Sequence, residues 1–308
     1  MPELPDITVY AECIERNFGG TRLHGVRLSS PFLVRTHTPS ISELQGKCLL
    51  AVRRIGKRIA LGFGENAAEV STWCVIHLMI AGRLHQRPAG TRLVPRRGLL
   101  GLDFQNRTLE LTEAGTQRRA SVHVFRSWSD ALSLDRRGVE PLLCSYEEFE
   151  QAVRRENHTL KRVLCDPALI SGVGNAYSDE ILFWSELSPV MRSQSLSAEQ
   201  VQRLFVATRH TLKAWTNLVR GQLKDGFLEH VTAFRPEMAV HGRYKLPCTQ
   251  CGTRIARIVY AKNETNYCPR CQTGGKLLAD RALSRLLRGD WPKHIDEWEE
   301  RSPALHSS

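Results

Sequence analysis

Four of the nine cysteines fall inside PCTQCGTRIARIVYAKNETNYCPRCQ. Cys248 and Cys251 form one Cys-x-x-Cys pair, Cys268 and Cys271 a second, and sixteen residues separate the pairs. Thiolates are soft ligands, and four of them satisfy tetrahedral zinc. A set of four cysteines leaves no open coordination position, so the spacing predicts one structural Zn2+ with no catalytic part. Its task is to fold a hairpin too small to be stable alone. Arg254, Arg257 and Lys262 on that hairpin suit phosphate contact, or form a solvated basic face. A second group stands at the tip of the chain, where MPELPD sets Pro2, Glu3 and Asp6 together. A third is LISGVGNAYSDEILF, which places Gly172 and Gly174 just before a helical stripe. Glycines there free backbone amides at a helix N-terminus, a phosphate-binding arrangement or simply a helix–helix connection. The helix before it carries Lys161 and Arg162.

These residues need elements to hold them. From Asp6, apolar residues recur at Ile7, Tyr10, Ala11, Ile14 and Phe18, which predicts a helix ended by Gly19–Gly20. From about residue 22 to 125, short apolar runs such as LHGVRL, CLLAVRRI, RIALGF, TLEL and VHVF are broken by Gly, Pro and Asn. This texture predicts a β-sandwich or barrel carrying one N-terminal helix. Residues 126–143 read as a connection. Residues 146–225 read as helices, with stripes at Leu160/Val163/Leu164, Ile181/Leu182/Trp184 and Leu204/Val206/Leu212/Trp215. After the cysteine segment, KLLADRALSRLLRGDW has helical periodicity, which predicts that Leu277–Leu287 form an amphipathic helix packing on the finger or on a partner. The fold class is α+β and multi-domain, divided as 1–125, a linker at 126–143, a helical domain at 144–245, the finger at 246–276 and an extension at 277–308.

The chain has 308 residues, of which 42% are apolar and 24% charged. That suits two globular domains. A formal charge of +11 and a pI near 9.4 point to a polyanionic partner, most often nucleic acid. No run approaches the roughly 18–20 apolar residues that span a bilayer. The acidic tip is unlike a signal peptide, so the expected address is cytoplasmic, nucleoid-associated in a bacterium. An odd cysteine count then argues for reduced thiols.

MPELPD, the hairpin RIGKRI, the strand IHLMIAGRL, the turn GVGNAYSDEILF and the four-cysteine finger occur in an order that resembles the formamidopyrimidine-DNA glycosylases and their relative endonuclease VIII. The resemblance covers about residues 1–275, and Leu4 favours the formamidopyrimidine branch. It implies a β-sandwich with an N-terminal helix, a helix–two-turns–helix domain and a zinc-finger hairpin, with DNA in the cleft between the halves. The implied activity is that of a bifunctional DNA glycosylase/AP lyase of base excision repair. The implied partner is double-stranded DNA with damaged bases or abasic sites, bound by a monomer. Removal of Met1 would make Pro2 an amine nucleophile, with Glu3 as general acid–base and Lys57 assisting the lyase step. His77 and Arg83 match cleft residues, although His77 also suits a core. Asn175 matches a phosphate-binding asparagine. Glu180 matches a carboxylate near the flipped nucleotide, or lies on a helix surface. Asp6 stands where the family often has Glu, and equally suits a helix N-cap.

The chain departs from the family pattern in three places. Ile80 stands where the wedge methionine would be, and the later loop LTEAGTQRRASVHVF lacks a phenylalanine at its tip, leaving Arg118 or Arg119 to take its place. The finger tip carries Asn263 and Glu264 where the family has a phosphate-reaching arginine. About thirty residues follow the finger, and the loop EHVTAFRPEMAVHGR is short for a lesion-recognising lid. These departures motivate the alternative of a non-catalytic protein that binds damaged or branched DNA on the same fold.

Overall fold

The computed structural model describes residues 1–65, 69–115, 117–224, 226–260, 263–279 and 292–300. The chain forms two compact units: Met1–Arg137 with Lys213–Ala233, and Gly138–Leu212 with Phe234–Ser308.

Helix α1 of the first unit runs Leu4–Phe18, two residues earlier than the apolar spacing predicts. The cause is local. Glu3 is the N-cap, and the carboxylate of Asp6, at the third helical position, accepts the Glu3 N–H at 3.0 Å. The cap therefore falls on Glu3, where the sequence alone suggested Asp6. Ile7, Tyr10, Cys13, Ile14 and Phe18 are buried along one side.

Two antiparallel four-stranded sheets follow. One has β2 (Cys48–Ile55), β3 (Arg58–Gly64), β4 (Thr72–His77) and β8 (Ser121–Phe125) in that order. The other orders β1 (Leu23–Leu28), β6 (Gly98–Phe104), β7 (Arg107–Glu113) and β5 (Gly82–Pro88). Their inner faces and α1 share one core, including Leu61, Phe63 and Ile76 from the first sheet and Leu84, Leu102 and Leu111 from the second. Val219, Phe227, Leu228 and Val231 complete it. Each such side chain is worth about 1.5–3 kcal/mol of burial.

The run IHLMIAGRL is not one strand. It splits at Leu78–Ala81, and its halves lie in different sheets. Met79 takes a φ of +52°, and the Gly82 N–H closes the turn on the Leu78 carbonyl at 2.9 Å. Within residues 126–143, α2 (Trp128–Ala131) packs Trp128 on Trp73 with ring centroids 4.5 Å apart. The Arg53 guanidinium lies 4.7 Å from the Trp128 ring and 5.2 Å from that of Trp73.

The second unit is built on α3 (Tyr146–Arg154), α4 (Leu160–Cys165), α5 (Asn175–Trp184) and the first part of α6 (Ala198–Gly221). The predicted stripes are buried at Leu160, Val163, Leu164, Ile181, Leu182, Leu204 and Leu212. Trp184 and Val206 depart from them and stand about half exposed, because their positions turn out of the packed face. Strands β9 (Ala256–Tyr260) and β10 (Asn263–Tyr267) form the finger hairpin, followed by α7 (Pro269–Thr273). The helix expected over 277–287 lies, from residue 280, outside the described residues. Helix α8 (Ile295–Glu300) belongs to the extension.

Candidate functional site

In the first unit the chain tip, Glu3, Asp6, Arg83 and Lys57 form one electrostatic cluster. Pro2 is buried, and Glu3 is 3% exposed. Burial lowers the α-amino group at Met1 below its ordinary value, Arg83 and Lys57 lower it further, and Glu3 and Asp6 oppose them. The Met1 amino group is therefore neutral over more of the pH range than a solvated one. Lys57 is presented by a two-residue turn, since Ile55 and Arg58 are ladder partners and only Gly56 and Lys57 lie between them. Gly56 has a φ of +57°, which glycine adopts without strain, and the Arg54 guanidinium donates to its carbonyl at 2.9 Å.

Arg83 is held by backbone. Its guanidinium donates to the carbonyls of Val231 at 2.9 Å, Gly82 at 2.7 Å and Ile80 at 3.1 Å. It thereby ties down the turn on which Ile80 stands 62% exposed. Arg118 and Arg119 are exposed on the loop after β7. Arg118 donates to the Arg96 carbonyl, while the backbone N–H of Arg119 is fixed by the Glu113 carboxylate at 3.0 Å.

His77 ends β4 opposite Arg58 and is partly buried, so it is neither a core histidine nor a fully exposed one. Burial, then the cations of Arg58, Lys57 and His123, push its pKa down to about 4. His77 is therefore neutral at pH 7. Its unfolded counterpart titrates near 6.5, so between about 6.5 and 4 the unfolded chain takes up a proton that the folded chain refuses. Stability contributed at this position is complete above 6.5 and falls as pH drops through that window. We expect an NMR titration of the His77 ring to show a midpoint near 4, and His77→Gln to flatten the acid limb of stability by about 1–2 kcal/mol. A midpoint at 6 to 7 would contradict this.

In the second unit, a buried polar network gathers the predicted phosphate contacts around a residue that the sequence did not single out. Asp179 on α5 is fully buried. One carboxylate oxygen accepts Lys161 Nζ at 2.6 Å. The other meets His241 Nδ1 at 2.7 Å and the Asn266 N–H at 3.1 Å. Lys161 also donates to the Asn175 carbonyl at 2.6 Å, and Asn175 Nδ2 donates to the Glu264 carbonyl at 3.1 Å. Glu180 is 1% exposed, which overturns the helix-surface reading. Its carboxylate accepts the consecutive N–H groups of Ala239, Val240 and His241 at 2.8, 2.9 and 3.0 Å. Burial still raises its pKa against those three bonds. The only local signal was the pair of carboxylates within a helix that is otherwise apolar at Ile181–Leu182–Phe183.

The four cysteines converge, with their sulfurs all within 4.8 Å of one another. Each pair makes a tight knuckle. The Gln250 N–H points at Cys248 Sγ at 3.4 Å, and the Cys271 N–H at Cys268 Sγ at 3.4 Å. Burial, then contact with Cys251, pushes the Cys271 thiol up to about 12, and burial likewise raises Cys268. Cys268 and Cys271 are therefore not thiolates at neutral pH unless a cation lies among the four sulfurs. The set fits one structural Zn2+, with Cys248 and Cys268 packed in a cluster with Phe183, Val240 and Ile255.

Arg257 on β9 pairs with Glu264 on β10 at 3.3 Å, so that carboxylate is partly neutralised. Asn263 is not the tip residue: it is exposed and already paired with Tyr260, and residues 261–262, including Lys262, lie outside the described residues.

Residues 1–122 match the formamidopyrimidine-DNA glycosylase N-terminal domain, 138–224 the formamidopyrimidine-DNA glycosylase H2TH domain, and 245–274 a zinc finger found in FPG and IleRS. An uncharacterized formamidopyrimidine-DNA glycosylase-like protein of Mycobacterium tuberculosis is 36% identical over 151 residues, which is 49% of this chain and 94% of that protein. The chain belongs to the formamidopyrimidine-DNA glycosylase family. A family member from Acidovorax is 29% identical over 289 residues, covering 88% of this chain and 99% of its own length. The same fold is seen in Lactococcus lactis Fpg solved in complex with DNA containing an abasic site, at a TM-score of 0.78 and 21% identity over 88% of this chain and 99% of that one. The match confirms the expected architecture of β-sandwich, H2TH helices and zinc-finger hairpin. Among the described residues no helix is long and apolar enough to cross a membrane.

Proposed function

We propose that this chain is a bifunctional DNA glycosylase/AP lyase acting on duplex DNA with oxidised bases or abasic sites. The observation that carries the reading is the N-terminal cluster: Pro2 is buried, Glu3 is 3% exposed, and Glu3, Asp6, Arg83 and Lys57 all act on the α-amino group of the neighbouring Met1. With Met1 removed, the Pro2 nitrogen attacks the sugar C1′. The C1′–N bond to the base breaks, its electron pair leaves with the base, and the base takes up the proton that the Pro2 nitrogen gives up. Glu3 gives a proton to the ring oxygen, the C1′–O4′ bond opens, and an iminium links Pro2 to C1′. The positive nitrogen acidifies the C2′ hydrogen. Loss of that proton expels the 3′ phosphate, and a further elimination expels the 5′ phosphate. Lys57, His77, Asn175 and the finger's Arg257 serve phosphates, with His77 acting as a neutral ring. Ile80, apolar and exposed on a pinned turn, takes the space left when the nucleotide swings out.

Borohydride trapping tests this. Mature protein, its N-terminus established by mass, is mixed with duplex carrying an abasic site, and in parallel with duplex carrying 8-oxoguanine. A covalent adduct is expected, lost in Pro2→Gly and on blocking the amine, and much reduced in Glu3→Gln. Salt-sensitive binding without an adduct would replace the proposal by the non-catalytic, damage-binding reading.

A further inference from the structure

The extension beyond the finger lies past all three matched domains. Its described parts nevertheless pack closely on the finger. The Leu277 N–H donates to the Lys293 carbonyl at 2.9 Å, and the Ile295 N–H to the Gly275 carbonyl at 2.8 Å. The Leu278 N–H donates to the Tyr267 hydroxyl at 2.8 Å. Ile295 is fully buried in a cluster with Ala256, Tyr267 and Leu277, and Trp298 lies against it. Arg270 and Asp296 add an ion pair at 3.2 Å.

One consequence of this packing reaches a functional side chain. Trp298 stacks on Tyr244, with centroids 6.4 Å apart and planes 19° from parallel. Tyr244 in turn carries the Arg257 guanidinium 4.2 Å from its ring centre. Tyr244 is fixed from behind, because Lys245 adopts a φ of +69° and donates its N–H to the Ile255 carbonyl at 2.9 Å. The opposite constraint on Arg257 is Glu264 at 3.3 Å. An arginine on an open strand face samples many rotamers in water; a ring beneath it and a carboxylate beside it select among them.

We propose that Trp298 of the extension is a positioning residue: through Tyr244 it holds Arg257 in the orientation that grips a phosphodiester of bound DNA. The inference rests on the proposed DNA-binding function. It gives the extension a part in that grip.

The test is fluorescence anisotropy of the full chain on a duplex bearing a tetrahydrofuran abasic analogue, at several salt concentrations. Arg257→Ala is expected to weaken binding and to lower the slope of log affinity against log salt by about 0.9, one phosphate contact. Trp298→Ala is expected to lose most of that slope, and Trp298→Phe to recover it. The double variant should be no worse than Arg257→Ala, since the tryptophan acts through the arginine. Tyr244→Phe keeps the ring and should bind as the parent, whereas Tyr244→Leu should behave as Trp298→Ala. Bound zinc should stay at one per chain throughout. Trp298→Ala with an unchanged slope, or a double variant whose losses add, overturns the positioning role. If Arg257→Ala itself leaves affinity and slope unchanged, the failure lies in the proposed phosphate contact.

Discussion

An Asp179→Ala substitution is expected to destabilise the second unit by about 3–5 kcal/mol. The carboxylate is fully buried and serves Lys161, His241 and Asn266 at 2.6, 2.7 and 3.1 Å. Removing it strands the Lys161 ammonium, whose side chain is only 14% exposed, and leaves a buried ring nitrogen and a buried amide without their acceptor. Charge burial, not the count of bonds, dominates the cost. Two comparisons separate these terms. Asp179→Asn retains an acceptor but not the charge and should fall between parent and alanine. Asp179→Leu combined with Lys161→Met removes both charges and should recover part of the loss. Urea unfolding reads all three, and a loss under about 1 kcal/mol in Asp179→Ala would show the network to be dispensable.

Stripping zinc with a strong chelator is expected to have the larger effect. Structural zinc contributes about 10–16 kcal/mol of apparent binding energy in finger peptides near neutral pH. Here the ligands are also part of the core. Cys248 and Cys268 pack with Phe183 of α5 and with Ala239 and Val240, the residues whose amides Glu180 holds. Disorder in the finger should therefore spread to residues 239–241 and loosen α5. Hydrogen exchange at Ala239, Val240 and His241 is the direct reading. Protection should vanish on chelation and return with one equivalent of Zn2+. Cys268→Ser should reproduce the loss without a chelator. Unchanged protection after metal removal would mean that the hairpin stands on packing alone.

The parts of this protein that were readable beforehand are those written in contiguous residues. The spacing of the four finger cysteines, the Gly56–Lys57 turn and the helix at the chain tip each depend on neighbours a few positions away. The network around Asp179 was not readable, because its partners lie 18, 62 and 87 positions along the chain. No local pattern tells a buried helical carboxylate from an exposed one. The same limit explains Glu180, read as a surface residue or a nucleotide contact and found holding three amides. IHLMIAGRL misled for another reason. Its apolar run is continuous across a turn, so periodicity sees one strand where a left-handed Met79 divides two. At Trp184 and Val206, hydrophobicity alone overstated burial.

The first unit's core is assembled from chain that is far apart in order of synthesis. Its first 137 residues leave the ribosome before Val219, Phe227, Leu228 and Val231 exist. At ordinary elongation rates the missing segment follows roughly 5–20 s later. During that interval the two sheets and α1 present an unsealed apolar face, including Tyr10, whose ring later meets Phe227 at 6.0 Å. The nascent protein is thus most exposed to aggregation and chaperone capture after its sheets have formed and before its last core residues arrive. Fragments cut at the end of the sheets inherit that open face permanently.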